Sequence, residues 1–334
     1  MPLSELPYLE QRQWLLDQCF GTADFWDVAL RSLGHESETI IANCEPLQQA
    51  WFLTRSFLEQ KVYKWQNALI QQLLDSECDV VCVQNVGAFP MRMLARHLRD
   101  NRKRKFVGFC SYATNIVDLQ GWNVVFTSFP WAVDAWRDAG INASYLPLSF
   151  GGPVLYRVQQ PVERDLPITF VGGLGHRHLW SKAQDDLEQL ASAVPSFRWY
   201  GYRGPDIVAG SALDRAYGGE VWGHDYYRLL KRSQIVVNRH GEIARGSANN
   251  MRMFEATGCG AALITEDAQN LSEFFHAGVD CLTYGSGGLV YAARCALDNP
   301  DSVREVAVIG QQRTLGRHLY ENRLEKFLDV IQSL

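Results

Sequence analysis

No Cys-x-x-Cys pair occurs among the eight cysteines of this 334-residue chain, at positions 19, 44, 78, 82, 110, 259, 281 and 295. Those spacings offer neither a zinc ligand set nor a disulfide framework. Most of the cysteines stand in apolar runs, where free buried thiols in a reducing compartment are expected. No run approaches the roughly 18 apolar residues of a membrane span. The opening Met-Pro-Leu-Ser-Glu-Leu-Pro-Tyr lacks the basic start and apolar core of an export signal. The expectation is a cytoplasmic protein with no membrane span. Neither sign of charge dominates: 32 lysines and arginines face 37 aspartates and glutamates, a formal net charge of −5, which creates no field that would attract nucleic acid, and no nucleic-acid partner is expected. A single basic run, Arg102-Lys103-Arg104-Lys105, reads as a solvated stretch before a strand and leaves peripheral contact with a membrane open.

What is present points to a large α/β protein. A hydrophobic content of 47% over 334 residues suggests two domains of roughly 150 residues each. Helical and strand patterns alternate, as in parallel sheets. In the first half, helices are expected at 24–33, over much of 47–74, at 89–98 and at 132–139, with Gly34 and Gly140 as stops. Strands are expected at 38–42, 79–83, 106–109 and 124–127. Tyr145 to Pro153 holds two glycines and two prolines, a composition suited to a linker. A second series then opens with a strand at 166–171, a glycine loop and a helix through Leu190. A strand at 198–201, a helix at 224–232 and an amphipathic stretch at 318–331 follow.

The most informative segment runs from Asn238 to Glu266. It puts a polar helix start between two buried-strand patterns, 233–238 and 261–265, the place where an open α/β sheet binds its ligand. Asn250, Met251, Phe254 and Gly258 fall at helical spacing, so Arg252 and Glu255 share a second, polar face. Gly172-Gly173-Leu174-Gly175-His176-Arg177 has a phosphate-cradle layout, with amides, a helix N-terminus and a cation at hand. The Gly-x-Gly-x-x-Gly fingerprint is missing from it, and a tight turn is an equally ordinary reason for its glycines.

The pattern Asn-x-Arg-x-Phe-Glu-Ala-x-x-x-Gly at Asn250, Arg252, Phe254, Glu255, Ala256 and Gly260 resembles the donor-binding segment of GT-B glycosyltransferases, in particular the CgeB-like (spore-maturation type) group. The resemblance covers residues 120–334 well and the first 120 loosely. It implies two Rossmann-like α/β domains with parallel sheets facing a cleft: 1–150 on the acceptor side, 151–317 binding a nucleotide sugar, and 318–334 as a closing helix packed back on the first domain. It further implies that Gly172, Gly173, His176, Arg177 and Arg252 hold the donor diphosphate and that Glu255 faces the ribose, where a carboxylate can accept two hydrogen bonds from a vicinal diol. Tyr202 and Gly223 would lie by the base, with Asn238, Arg239, Asn250 and Met251 completing the donor side. Tyr226 and Tyr227, in the first turn of a helix, are expected to pack on a neighbouring strand rather than stack on a base. Family members normally begin with an apolar strand and a glycine-bearing loop, whereas Tyr8 to Leu16 is helical in pattern; the first sheet is expected without its usual first strand, or the sequence starts late.

The implied reaction is transfer of a sugar from a nucleotide diphosphate donor, a uridine one by expectation, to an unidentified glycan, protein or small molecule. No Asp-x-Asp triplet occurs, which fits metal-free chemistry, and neither metal nor cofactor is expected. Retaining families with a Glu-x7-Glu pair would place a glutamate at position 247, which is Ser247; stereochemistry stays open. Among acid/base candidates, His240 follows a strand end and titrates near neutrality, and Glu242 is the nearest carboxylate. A loop histidine is also commonly only a hydrogen-bonding residue. Asn85, Gly87, Tyr112 and Asn115 follow strand ends of the first domain and are the acceptor-side candidates. Two other functions remain in play: a noncatalytic nucleotide-sugar-binding scaffold, and a nucleotide-sugar epimerase or phosphorylase-like enzyme on the same fold.

Overall fold

Short β-branched runs build two separate parallel sheets in the computed structural model, which describes residues 3–55, 65–89, 91, 94, 104–158, 163–175 and 177–334, without the side chains of 65–67 and 177–183. One unit comprises Met1–Cys19, Trp26–Pro147 and Lys326–Leu334; the other comprises Phe20–Phe25 and Leu148–Glu325.

In the first unit, helices α1 (Tyr8–Asp17), α2 (Phe25–Ser32), α3 (Glu45–Leu53) and α4 (Trp65–Asp75) precede the strands β1 (Val80–Val83), β2 (Lys105–Phe109), β3 (Val124–Thr127) and β4 (Ala143–Tyr145). The strands pair in chain order, all parallel, with Val81 beside Phe106, Val107 beside Val124 and Val125 beside Ala143. Between β3 and β4, α5 (Pro130–Asp138) begins on a proline and is closed by Gly140 at φ +79°, a backbone conformation in which a side chain is strained. Trp26 and Phe126 meet Phe327 of the last helix, with ring centroids 5.1 and 5.0 Å apart, and Phe109 packs on Trp26 at 5.7 Å.

Two expectations fail here for a physical reason. Residues 38–41 carry no regular structure and 42 opens a turn, because carbonyls there are taken by side chains: Thr39 O accepts from Arg12 Nη2 at 3.0 Å and Ile41 O from Gln48 Nε2 at 2.9 Å. Nor are the described members of the basic run solvated. Arg104 is buried and donates to Leu73 O and Ser76 O, and Lys105 Nζ donates to Ile331 O at 2.8 Å. These carbonyls lie at helix C-termini, where unpaired acceptors and the negative end of the dipole draw cations. Arg102, Lys103 and most of the helix expected at 89–98 lie outside the described residues, as does the middle of the stretch expected to be helical at 47–74.

The second unit begins with the supposed linker, which is packed rather than loose. Phe150 is fully buried, its N–H donates to His318 O at 2.9 Å, and Gly258 lies so close that a β-carbon there would sit 2.7 Å from the Phe150 ring. The short helix α6 (Val154–Arg157) places Arg157 in a bidentate pair with Asp24, at 2.6 and 2.7 Å. Phe25 fills the notch over Gly151, so residues 20–25 belong with this unit.

Its sheet is formed by β5 (Leu166–Val171), β6 (Phe197–Tyr200), β7 (Ser233–Asn238), β8 (Ala262–Glu266) and β9 (Leu282–Tyr284), in the order β6-β5-β7-β8-β9, all parallel. The crossovers from β5 to β8 are helices, α7 (Arg177–Ala193), α8 (Ala212–Ala216), α9 (Gly223–Arg232) and α10 (Met251–Gly258), whereas β8 reaches β9 through a 3₁₀ turn at Leu271–Glu273. The chain closes with α11 (Leu289–Asp298), α12 (Pro300–Arg317) and α13 (Tyr320–Gln332), so the stretch expected as one helix from 318 starts at Tyr320, after His318 has capped α12. Ile168, Phe197, Trp199, Leu187, Leu190, Ile235 and Ile264 form the centre of its core.

The loops after β5 and β6 touch backbone to backbone. A β-carbon on Gly204 would stand 2.4 Å from Gly175 O, and one on Gly201 2.6 Å from Gly172 O. Gly204 has an ordinary φ, so only contact forbids a side chain there. Gly204→Ala is therefore expected to destabilise the fold by about 1–3 kcal/mol. Urea unfolding measures this directly, and an unchanged midpoint would mean that the two loops are not in contact.

Candidate functional site

The candidate site lies at the carboxyl edge of the second sheet, where the loops after β5, β6 and β7 emerge. The loop after β5 is tied to its neighbour: Gly172 N donates to Tyr200 O at 2.8 Å, Leu174 N to Tyr202 O at 3.0 Å, and Gly204 N to Leu174 O at 2.7 Å. The Gly172 amide, expected to face a diphosphate, is thus spent in extending the parallel ladder. Gly172 instead makes room, because a β-carbon there would meet Arg252 Nη2 and the Phe170 ring at 3.0 Å. Gly173 faces solvent, and Tyr202, 47% exposed, stands with its Cβ 3.6 Å from where a Gly173 β-carbon would be. Arg177 opens α7, but its side chain and the whole of His176 lie outside the described residues.

After β7 the expected donor residues divide into two groups. Asn238 is fully buried, giving its Nδ2 to Thr265 Oγ1 at 2.9 Å and its carbonyl to Tyr284 OH at 3.1 Å. It ties β7 to β8 and β9, and is no exposed ligand. Arg239 is buried in an ion pair with Asp186, with Glu266 Oε1 3.7 Å away. Its charge is already matched, as a buried guanidinium requires. Asn250 is the N-cap residue of α10 but gives no cap bond; its Nδ2 turns back to Arg239 O at 2.8 Å, and Met251 opens the helix half-buried.

His240 is committed at both nitrogens. Its Nδ1 accepts from Asn249 N at 3.4 Å, which leaves the proton on Nε2 to reach Glu266 O at 3.1 Å. Burial, with Arg239 and Arg252 nearby, pushes its pKa down to about 4, so it is neutral at pH 7 and does not stand free as an acid/base. Glu242 lies exposed on a three-residue turn.

The remaining group converges. Arg252, in the first turn of α10, lies over the Phe170 ring with its guanidinium carbon 4.9 Å from the centroid, and its buried Nε has no hydrogen-bond partner. One turn on, Glu255 is buried, 8% exposed, and accepts Tyr226 OH on Oε2 at 2.5 Å and Tyr227 OH on Oε1 at 3.1 Å. Burial pushes its carboxyl pKa up, while the two hydroxyls and Arg252 pull it back. Gly223, at φ +55°, starts α9, the helix that carries both tyrosines. The helical pattern accounts for these tyrosines as packing residues but carries no sign of their shared acceptor. The only hint was that two adjacent first-turn phenols must each find a partner when buried.

In the first unit, three of the four acceptor-side candidates meet. Tyr112 OH donates to Asn85 Oδ1 at 2.9 Å and accepts from Gly87 N at 3.0 Å. Asn115 stands exposed at the start of a 3₁₀ turn and is not part of this network. All eight cysteines are free, four of them buried, and no described helix is long and apolar enough to cross a membrane.

Residues 177–329 match the family described as Glycosyl transferase-like. No curated protein matches the sequence. Among solved structures, Anabaena HepE in complex with UDP-glucose is similar at 13% identity and a TM-score of 0.56, covering 84% of this chain and 84% of its own. Sucrose-phosphate synthase from Thermosynechococcus elongatus is similar at 13% identity and a TM-score of 0.53, covering 80% and 76%. WaaG, a glycosyltransferase involved in lipopolysaccharide biosynthesis, is similar at 13% identity and a TM-score of 0.53, covering 72% and 81%. The second unit is therefore glycosyl transferase-like over most of its length, and the chain has the two-sheet α/β fold of the GT-B glycosyltransferases.

Two imidazoles, His318 buried and His240 half-buried, set a pH dependence. His240 and His318 both have pKa values lowered to about 4 from 6.5, so the unfolded chain binds more protons between those values and stability falls as pH drops through that window. Each imidazole contributes at most about 1.4 kcal/mol per pH unit. Denaturant unfolding at pH 6.5 and pH 5 should show this loss, and His240→Gln should flatten it; a parallel curve would show that His240 is not held neutral.

Proposed function

We propose that this protein is a glycosyltransferase of the CgeB-like type. It moves a sugar from a uridine diphosphate donor to a hydroxyl of a glycan, a protein or a small molecule, in the cytoplasm and without a metal ion. The glycosyl transferase-like match of residues 177–329 and the likeness to a UDP-glucose-bound structure support the reaction class and the donor. The observation that carries the reading is Arg252, a cation with a partnerless buried Nε beside Gly172, at the start of a helix that also carries Glu255.

Transfer breaks the bond between the anomeric carbon and the β-phosphate oxygen, and the electron pair leaves with the diphosphate. The acceptor oxygen bonds to the anomeric carbon and gives up its proton to the departing diphosphate, directly or through solvent water. Arg252 neutralises the growing phosphate charge, and the first-turn amides of α10, which Asn250 does not cap, add the positive end of the dipole. Arg177 and the exposed Gly173 belong to the same phosphate grip by their place after β5. Glu255 takes the ribose, and Tyr202 and Gly223 flank the base. The absence of an Asp-x-Asp triplet favours cationic side chains over a metal for the leaving group.

One set of observations favours the noncatalytic scaffold as a second reading: His240 is neutral and bonded at both nitrogens, and Ser247 stands where a retaining pair would have its first glutamate. Steady release of UDP from UDP-glucose with an acceptor panel separates the two, since a scaffold binds without turnover.

Arg252→Ala should weaken UDP binding by roughly 10- to 100-fold, the range for a hydrogen bond to a charged group, while uridine binding changes little. Calorimetry with both ligands measures it. Equal losses for nucleoside and nucleoside diphosphate would remove Arg252 from the phosphate role.

A further inference from the structure

Consecutive residues on a helix point about 100° apart and do not ordinarily meet. Tyr226 and Tyr227 nonetheless bring their hydroxyls to the same carboxylate, one on each oxygen of Glu255. Their rings pack edge to face, with centroids 5.0 Å apart, and Tyr227 is fully buried, so neither ring is free to swing. A buried phenol needs some acceptor, but a single backbone carbonyl per ring would meet that need. Two phenols on one carboxylate do more, because they fix both its position and the rotation of its plane. An ionised carboxylate has about four lone-pair directions. With one on each oxygen taken by a phenol, one on each remains, and the two left over form a matched pair of acceptors.

We propose that Tyr226 and Tyr227 are positioning residues that aim the Glu255 carboxylate so that its two remaining acceptor sites receive the vicinal 2′ and 3′ hydroxyls of the donor ribose. The proposal rests on the ribose role of Glu255. The tyrosines touch no substrate; they act through the carboxylate, and Arg252 on the same helix face adds to its anionic form.

The test compares UDP with 2′,3′-dideoxy-UDP by calorimetry on the full chain, for the wild type, Tyr226→Phe and Glu255→Gln, with thermal melts to confirm folding. The wild type should bind UDP more tightly than the dideoxy analogue. Tyr226→Phe should lose about tenfold in UDP affinity and change little for the dideoxy analogue, so that the advantage of the diol collapses toward that of Glu255→Gln. Should Tyr226→Phe melt early, Tyr227→Phe makes the same comparison at the other oxygen. Equal losses of both ligands in the tyrosine variants would overturn the positioning role and leave the ribose reading standing. Equal binding of the two ligands by the wild type would overturn the ribose reading, and the proposal with it.

Discussion

Parallel pairing in the second sheet decides where chemistry can occur. Every strand in the order β6-β5-β7-β8-β9 runs the same way, so every following loop leaves at the same edge, with the N-terminus of the next helix beside it. Registers such as Ile168 beside Ile235 and Val237 beside Ile264 bring the loop after β5 next to the start of α10. Arg252 therefore stands against Gly172, although the two are far apart in sequence. The close backbone contact of the loops after β5 and β6 depends on the same register, and glycine at 175, 201 and 204 is its local cost.

Within that frame the decisive energetic problem is a buried carboxylate. Glu255 sits where water is largely excluded, which penalises its charge. Two phenols and a nearby guanidinium offset the penalty, and the acid remains an acceptor. Arg239 solves the opposite problem with Asp186 and Glu266 as partners. The two arginines flanking the same helix start thus differ in use. One is consumed by structure, and the other keeps a donor in reserve.

Much of this was legible beforehand, for identifiable reasons. Strands β1 to β3, β5, β7 and β8 are short apolar runs between turn residues, and Gly34 and Gly140 stop their helices at positive φ as expected. The strand at 38–42 failed because side-chain donors, Arg12 and Gln48, replaced a neighbouring strand. Lys105 departs from its solvated expectation because its partner, Ile331 O, lies at the other end of the chain, beyond the reach of any local pattern. The same holds for Asn238, whose amide the sheet claimed, and for His240, whose nitrogens were taken by Asn249 and Glu266.

Hydrophobic period and turn chemistry are local, so the alternation of strands and helices, the two-sheet α/β class, and the helix face that carries Arg252 and Glu255 follow from neighbouring residues alone. Hydrogen-bond ownership is not local. Packing settles which candidates are already bonded within the fold, as Asn238, Arg239, His240 and the Gly172 amide are. It alone left the Arg252 Nε without a partner and turned Tyr226 and Tyr227 onto one carboxylate, because a polar group's partners are set by which strands pair and which helix starts then meet.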